Sequence, residues 1–322
     1  MLKTPLCEVL GIDYPIIQGG MAYLGSAELV SAVSEAGGLG IIGSGSSQPS
    51  WIQEQITLVR ALTNKPFGLN IMLMSPYVED VVKLAIEEKV PIITTGGGNP
   101  GIYLPRLKES GAKILPVVSI KALAKRLDRQ GVDAIIAEGM ESGGHVGETT
   151  TIALVPQIVD AVSVPVVAAG GMADGRGLAA ALVLGAQAVQ MGTRFICAEE
   201  CIAHTNFKQK VLSVGDHDTV VTGESLGHPA RCLKNKLTRQ FLSMEQSGVP
   251  AEELNQFGIG KLYSGVIEGD IEQGSLMAGQ IAGLVSDIKP ARSIIQDIVA
   301  EAEEVFRRIK STMGTNGGNQ NG

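Results

Sequence analysis

The chain has 322 residues, 44% of them hydrophobic, enough to bury a large core in one barrel or two domains. A formal charge of −7 excludes a general nucleic-acid binder, which needs a basic face, and no run nears the ~18 apolar residues of a membrane span. Four cysteines without a Cys-x-x-Cys pair, and no apolar signal core behind Lys3, point to reduced thiols in a cytoplasmic protein.

Short apolar runs alternate with amphipathic stretches along the first two thirds of the chain. The runs predict strands over Pro15–Gln18, Gly40–Ile42, Phe67–Met72, Pro91–Thr95, Ile114–Val118, Ala134–Ala137, Val166–Ala169 and Ala188–Met191. Between them the pattern predicts helices over Ala27–Ala36, Trp51–Leu62, Val78–Glu88, Tyr103–Ser110, Ile120–Gln130, Ile152–Val162 and Arg176–Leu184. Ser26, Ser50, Ser119 and Asp174 stand where N-caps belong, and Gly37, Gly111, Gly131 and Gly185 where helices stop. Eight units with continuously apolar strands imply a parallel sheet buried on both faces. Eight is also the count of a closed (β/α)₈ TIM barrel. A doubly wound open sheet places its Gly-x-Gly-x-x-Gly fingerprint after the first strand, and Gln18-Gly19-Gly20-Met21-Ala22 lacks that spacing.

After strand eight the alternation breaks. Residues 199–265 carry His204, His217, His228 and a polar helix predicted over Pro229–Gln246, which reads as a lid inserted over the barrel rim. The barrel then comprises 1–198 and 266–310, with Ser275–Gly283 returning the chain and Ala291–Ile309 as a final helix. Residues 311–322 read as a disordered tail.

The chemistry concentrates at the carboxyl ends of the strands. Gly170-Gly171 and Gly192-Thr193 follow strands seven and eight, where backbone N–H groups and a helix N-terminus make a phosphate site, with the Thr193 hydroxyl as a further donor. Asn70 interrupts an apolar strand, so it is either a satisfied structural amide or a partner for the polar edge of a heterocycle. Gln18, Met21 and Ala22 end the first strand, and Thr94-Thr95-Gly96 the fourth, beside the same ring position. Glu138 ends the sixth strand and needs a partner there: a ribityl hydroxyl, an amide or a cation. Glu141 reads as a solvated loop residue. His145, between Gly144 and Val146-Gly147, has little packing of its own and titrates near neutrality, so it is the best proton donor in the chain. No serine triad, Walker loop or His-Glu-x-x-His pattern occurs.

Together, Ile17–Ala22, Ala36–Gly43, Ile136–His145, Ala168–Gly175 and Met191–Phe195 resemble the FMN-dependent nitronate monooxygenase superfamily. Within it the chain is similar to the bacterial flavin-containing enoyl-acyl-carrier-protein reductases of the FabK type, on Glu138 and on the segment Gly227–Arg239. The resemblance implies FMN in the barrel mouth, its phosphate on Gly170, Gly171, Gly192 and Thr193. It implies Gly20, Met21, Ala22, Asn70, Thr95, Glu138, Gly143, Gly144, Gln190 and Gln280 around the flavin, with His145 facing the ring as the catalytic residue. NAD(P)H as reductant, an acyl carrier protein as partner and a homodimer are also implied. So is a monovalent cation (K⁺ or NH₄⁺) held by backbone carbonyls of Met277 and Gly279. Two other functions stay open: oxidation of alkyl nitronates by O₂, and a regulatory barrel that binds a flavin or phosphate without turnover. The cations Arg231, Lys234, Lys236 and Arg239, spaced around a helix whose apolar stripe is Leu233, Leu237, Phe241 and Met244, form a candidate outward-facing patch for an acidic carrier.

Overall fold

In the computed structural model, which describes residues 2–314, eight parallel strands close into a barrel. The chain runs α1 (Pro5–Leu10), β1 (Ile16–Gln18), α2 (Ala27–Glu35), β2 (Leu39–Gly43), α3 (Pro49–Leu62), β3 (Phe67–Met72), α4 (Val78–Glu87), β4 (Ile92–Gly96), α5 (Leu104–Glu109), β5 (Lys113–Val118), α6 (Lys121–Arg129) and β6 (Ile135–Glu138). A two-residue strand β7 (Gly144–His145) leaves the barrel, which resumes with α7 (Thr151–Val159), β8 (Val166–Ala169), α8 (Gly175–Val183), β9 (Ala188–Met191) and α9 (Thr193–Ile196). β9 pairs with β1, Ile17 opposite Gln190, and closes the ring.

Alternation sorts the strand residues. Ile17, Leu39, Ile41, Ile92, Leu115, Ile136, Val167 and Ala188 pack inside the barrel, while their neighbours Ile16, Ile42, Leu69, Ile93, Ile114, Ile135, Val166 and Val189 pack against the helical layer. Glycine is needed where layers touch: a Cβ on Gly40 would stand 2.2 Å from the Val30 carbonyl oxygen of α2. Gly37, Gly111, Gly131 and Gly185 end their helices at φ of +91°, +82°, +73° and +94°. Asp174 caps α8, accepting from the Arg176 and Gly177 amides at 3.0 and 3.2 Å. Ser50 and Ser119 are not caps: α3 and α6 are preceded by Gln48 and Ile120 in extended conformation, and Ser26 turns its hydroxyl to Glu28 instead of to the α2 amides.

Beyond α9 the chain builds α10 (Thr205–Leu212), β10 (Thr219–Thr222), β11 (Ala230–Leu233), α11 (Lys236–Gln246), α12 (Ala251–Gly258) and α13 (Lys261–Val266). The predicted helix Pro229–Gln246 is therefore wrong in its first part. A capping box, Asn235 to Thr238 and back, fixes the helix start at Lys236, and Ala230–Leu233 pairs as a strand between β10 and β7. The last helix α14 (Ala291–Gly314) lies on α8, where a Cβ on Gly175 would meet the Ala302 nitrogen at 2.4 Å. It runs through residues 311–314, expected to be disordered; 315–322 lie outside the described residues. All four cysteines are free and buried, and among the described residues no helix is long and apolar enough to cross a membrane.

Two glycines separate steric from conformational cost. Gly40→Ala forces a buried methyl onto backbone and should cost about 3 kcal/mol. Gly111→Ala has open space but a left-handed φ, and should cost about 1 kcal/mol. Urea unfolding of both variants measures the difference.

Candidate active site

A cavity of about 550 Å³ opens at the carboxyl ends of the barrel strands. Its floor is the uppermost layer of inward-facing residues: Asn70, Val117, Glu138, Ala169 and Gln190. The register places Asn70 beside Gly43 and Thr94, and Ala169 between Glu138 and Gln190. Asn70 Nδ2 donates to Thr94 Oγ1 at 3.0 Å, which satisfies one donor and leaves the carbamoyl group at the cavity wall. A Cβ on Gly20 would stand 2.3 Å from Asn70 Cβ, so only glycine lets the β1 loop lie this close.

The same alternation removes two expected residues. Gln18 and Thr95 each follow an inward residue and so point to the helices. Gln18 is fully buried and bonds the Ile41 amide and carbonyl at 3.2 Å. Thr95 is buried, stands outside the cavity wall, and its Oγ1 has no partner. Gln280 is exposed and also outside the wall; its backbone N–H donates to the Glu141 carbonyl.

Gly20, Met21, Ala22, Gly143, Gly144, Gly170, Gly171, Gly192, Thr193, Met277 and Gly279 all line the cavity with Asn70, Glu138, Gln190 and His145. Gly170 and Gly171 both have positive φ, +81° and +73°, so the chain turns tightly and presents bare backbone at the cavity wall, a candidate nest for an anion. Asp174 takes the first α8 amides, so an anion there relies on this nest and on Gly192-Thr193, not on the α8 terminus. Thr193 Oγ1 accepts from the Gly279 amide at 2.9 Å, which leaves its O–H free to donate. Gly143 and Gly279 pack backbone to backbone, a Cβ on Gly143 falling 2.6 Å from the Gly279 nitrogen.

Glu138 is desolvated by the barrel top, which pushes its carboxyl from the ordinary 4.5 up to about 7; Ser142 acts weakly in the other direction. Ser142 Oγ, buried in the cavity wall, faces the Glu138 carboxyl and makes no close hydrogen bond to any other group. A buried hydroxyl, a carboxyl raised towards neutrality, an amide with hydrogen-bonding capacity to spare and a pair of wall glycines fit a polyhydroxylated phosphate ligand with a polar ring. Glu141 is not a solvated residue. Its carboxylate accepts from the Thr151 amide at 2.9 and 3.0 Å and from Thr151 Oγ1 at 2.9 Å, and so caps α7.

His145 owes its place to β7. Ala230 of β11 pairs opposite it, and the Val146 amide donates to the Pro229 carbonyl at 3.0 Å. Arg231, expected on the surface, is buried: Nε and Nη2 donate to the Met140 carbonyl at 3.1 and 3.0 Å, and Nη1 to Thr219 Oγ1 at 3.1 Å. This guanidinium ties the β6–β7 loop to the insertion. Burial, and then the neighbouring His228, lower the His145 pKa below its usual 6.5, so the imidazole is uncharged at pH 7 and is not the ready proton donor expected. Beside it the wall is apolar, with Val118, Ile120, Leu123 and Val146.

Several relatives share this architecture. A family model described as nitronate monooxygenase matches residues 3–88 and 76–301. The structure of FabK from Thermotoga maritima is 49% identical, with a TM-score of 0.95 over 97% of this chain and 100% of that one. A (3aS,4S,5R,7aS)-5-hydroxy-7a-methyl-1-oxo-octahydro-1H-indene-4-carboxyl-CoA dehydrogenase of Mycobacterium tuberculosis is 35% identical over 94% of this chain and 96% of its own. A probable nitronate monooxygenase of Staphylococcus saprophyticus is 32% identical over 95% and 99%.

Glu138 supplies a pH test. Below pH 4.5 both folded and unfolded chains hold its proton and nothing is lost; its penalty grows as pH rises and is complete above about 7. Glu138 keeps partial exposure at the cavity wall, so solvent softens the penalty. In cofactor-free protein, Glu138→Gln should leave stability unchanged at pH 4.5 and raise it by about 2 kcal/mol at pH 8, read by urea unfolding.

Proposed function

The chain belongs to the nitronate monooxygenase family, and from that footing we propose that it is an FMN-dependent enoyl-acyl-carrier-protein reductase that uses NADH or NADPH. What carries this reading is the 49% identity to FabK over 97% of this chain and 100% of that one. The cavity's charge supports it. Among the described residues no lysine or arginine lines the wall, and the side near His145 is apolar and uncharged. That suits a neutral enoyl thioester better than an anionic nitronate, whose desolvation needs a partner charge.

The family is flavin-dependent. FMN would supply the hydride carrier between the nicotinamide and Cβ of the enoyl group. The chain's residues hold and orient. Gly170, Gly171, Gly192 and the Thr193 hydroxyl receive the phosphate; Glu138 and Ser142 meet ribityl hydroxyls; Asn70, Gln190, Met21 and Ala22 meet the ring. His145, uncharged, donates a hydrogen bond to the thioester oxygen as enolate charge develops, and water supplies the proton to Cα. A neutral imidazole is a fitting donor there, because it needs no proton from solvent before it acts. A monovalent cation on the Met277 and Gly279 carbonyls and a homodimer belong to the same proposal, as does a lid role for residues 199–265.

The acyl carrier docks, in this reading, on the insertion. Lys234, Lys236 and Arg239 are exposed there, Lys236 3.6 Å from Glu272; Arg231 is withdrawn into the loop anchor. Carrier proteins are acidic, so such a patch steers association even on an acidic enzyme.

Purified protein should carry flavin absorbance, or acquire it with added FMN. In anaerobic stopped flow, NADH or NADPH should bleach it and a trans-2-enoyl thioester should restore it. Bleaching by an alkyl nitronate without nicotinamide assigns nitronate oxidation instead, and a protein colourless after FMN addition has no flavin function. His145→Ala should lower kcat for a crotonyl thioester about 10²-fold, the worth of one lost donor to a developing oxyanion; unchanged turnover removes His145 from the mechanism.

Lys234→Glu with Lys236→Glu should raise KM several-fold for a carrier-bound substrate and leave it unchanged for the coenzyme A thioester. The effect should fade with salt, since exposed charges are screened within ~10 Å at 0.1 M.

A further inference from the structure

The loop after β1 breaks a rule of turn chemistry. The Met21 carbonyl accepts from the Leu24 amide at 3.1 Å and the Gly25 amide at 2.8 Å, a tight turn whose third residue, Tyr23, has φ +65°. That position belongs to glycine or asparagine; a bulky aromatic there is strained. Tyr23 is one of two non-glycine residues with positive φ among those described; the other, Lys89, ends a surface helix. The turn cannot relax by shifting. A Cβ on Gly43 would fall 2.1 Å from the Met21 oxygen, and one on Gly45 2.6 Å from Ala22 Cβ, so its backbone lies flat against the β2–α3 loop.

Strain of this kind persists where a side chain is required in place. The Tyr23 ring stands at the cavity edge and meets the Tyr263 ring edge to face, centroids 5.4 Å apart and planes at 81°. Tyr263 lies on α13, whose Leu262 and Val266 form the cavity wall on that side. Barrel and insertion therefore meet, at this edge, through two aromatic rings.

We propose that Tyr23 is a positioning residue, held in a left-handed conformation for the sake of its ring, which with Tyr263 keeps α13 of the insertion closed over the cofactor cavity. The ring governs how fast a bound flavin leaves. This rests on the flavin reading of the cavity.

The experiment compares Tyr23→Phe, Tyr23→Ala, Tyr23→Gly and Tyr263→Ala with the wild type. FMN release is followed by flavin fluorescence, and the melting temperature of the cofactor-free protein is measured. Loss of either ring should speed FMN release up to about tenfold, the worth of one aromatic pair, and Tyr23→Phe should release it like wild type. The glycine variant should melt about 2–4 °C above the alanine variant, the reverse of the usual order, because it alone relieves the strain. Unchanged release in the alanine and glycine variants, or a glycine variant that melts below the alanine one, overturns the proposal. Should wild type take no FMN, the flavin reading fails instead. The clasp is then read from hydrogen exchange of the α13 amides: faster in the alanine and glycine variants than in the phenylalanine variant if it holds, equal in all if it does not.

Discussion

Everything at the cavity depends on the closure of the barrel in one register. Once Ile17 sits opposite Gln190 and the ring of eight strands is complete, each strand has a fixed inward parity. Asn70, Glu138 and Gln190 then converge on one level, and Gln18 and Thr95, equally polar and nearly adjacent, are turned away. A slip of one residue in any strand would exchange a cavity group for a helix-facing one. The apolar layer beneath, from Ile17 to Val167, makes such a slip costly, because it would expose or misplace buried aliphatic side chains along the whole strand.

Above that level the electrostatics are muted by design of burial. Glu138 is lifted towards neutrality and His145 is kept uncharged, both mainly by desolvation. The buried cation nearby, Arg231, faces away from the cavity and spends its donors on a carbonyl and a hydroxyl. A site of this kind presents dipoles and neutral donors to its ligand, with the bare backbone of Gly170-Gly171 at the cavity wall. Charge that develops during reaction is met by hydrogen bonds already aimed, not by mobile side chains.

The barrel was legible in the sequence because most strands are short, mainly apolar runs and four helices stop at Gly37, Gly111, Gly131 and Gly185. Phe67–Met72, Val166–Ala169 and Ala188–Met191 fall on the observed strands residue for residue. The site was legible where glycine pairs follow strands, as at Gly170-Gly171. It was not legible where side-chain parity decides: Thr94 and Thr95 are identical in type, and only the register says that Thr94 meets Asn70. The insertion was the least readable part. Ala230–Leu233 is too short and too mixed to reveal a strand by period, and its partner β7 has two residues. The readable clue was Asn235 followed at the third position by Thr238, which sets the helix start past the strand and takes Arg231 off the helical wheel.

The pairing of β7 with β11 also bears on how the molecule opens. His145 acquires its position from Ala230, across a long stretch of sequence that includes two barrel units and much of the insertion. The contacts that set it are separate from the closure of the barrel, which spans more sequence still, Ile17 to Gln190. They are also few, one short ladder at a sheet edge, so they open more readily than the barrel beneath. The barrel can therefore stay complete while the imidazole-bearing loop opens and closes on its short ladder. Loss of the site is then a separate event from unfolding of the scaffold, and an opened ladder would show itself as function lost before native structure is lost.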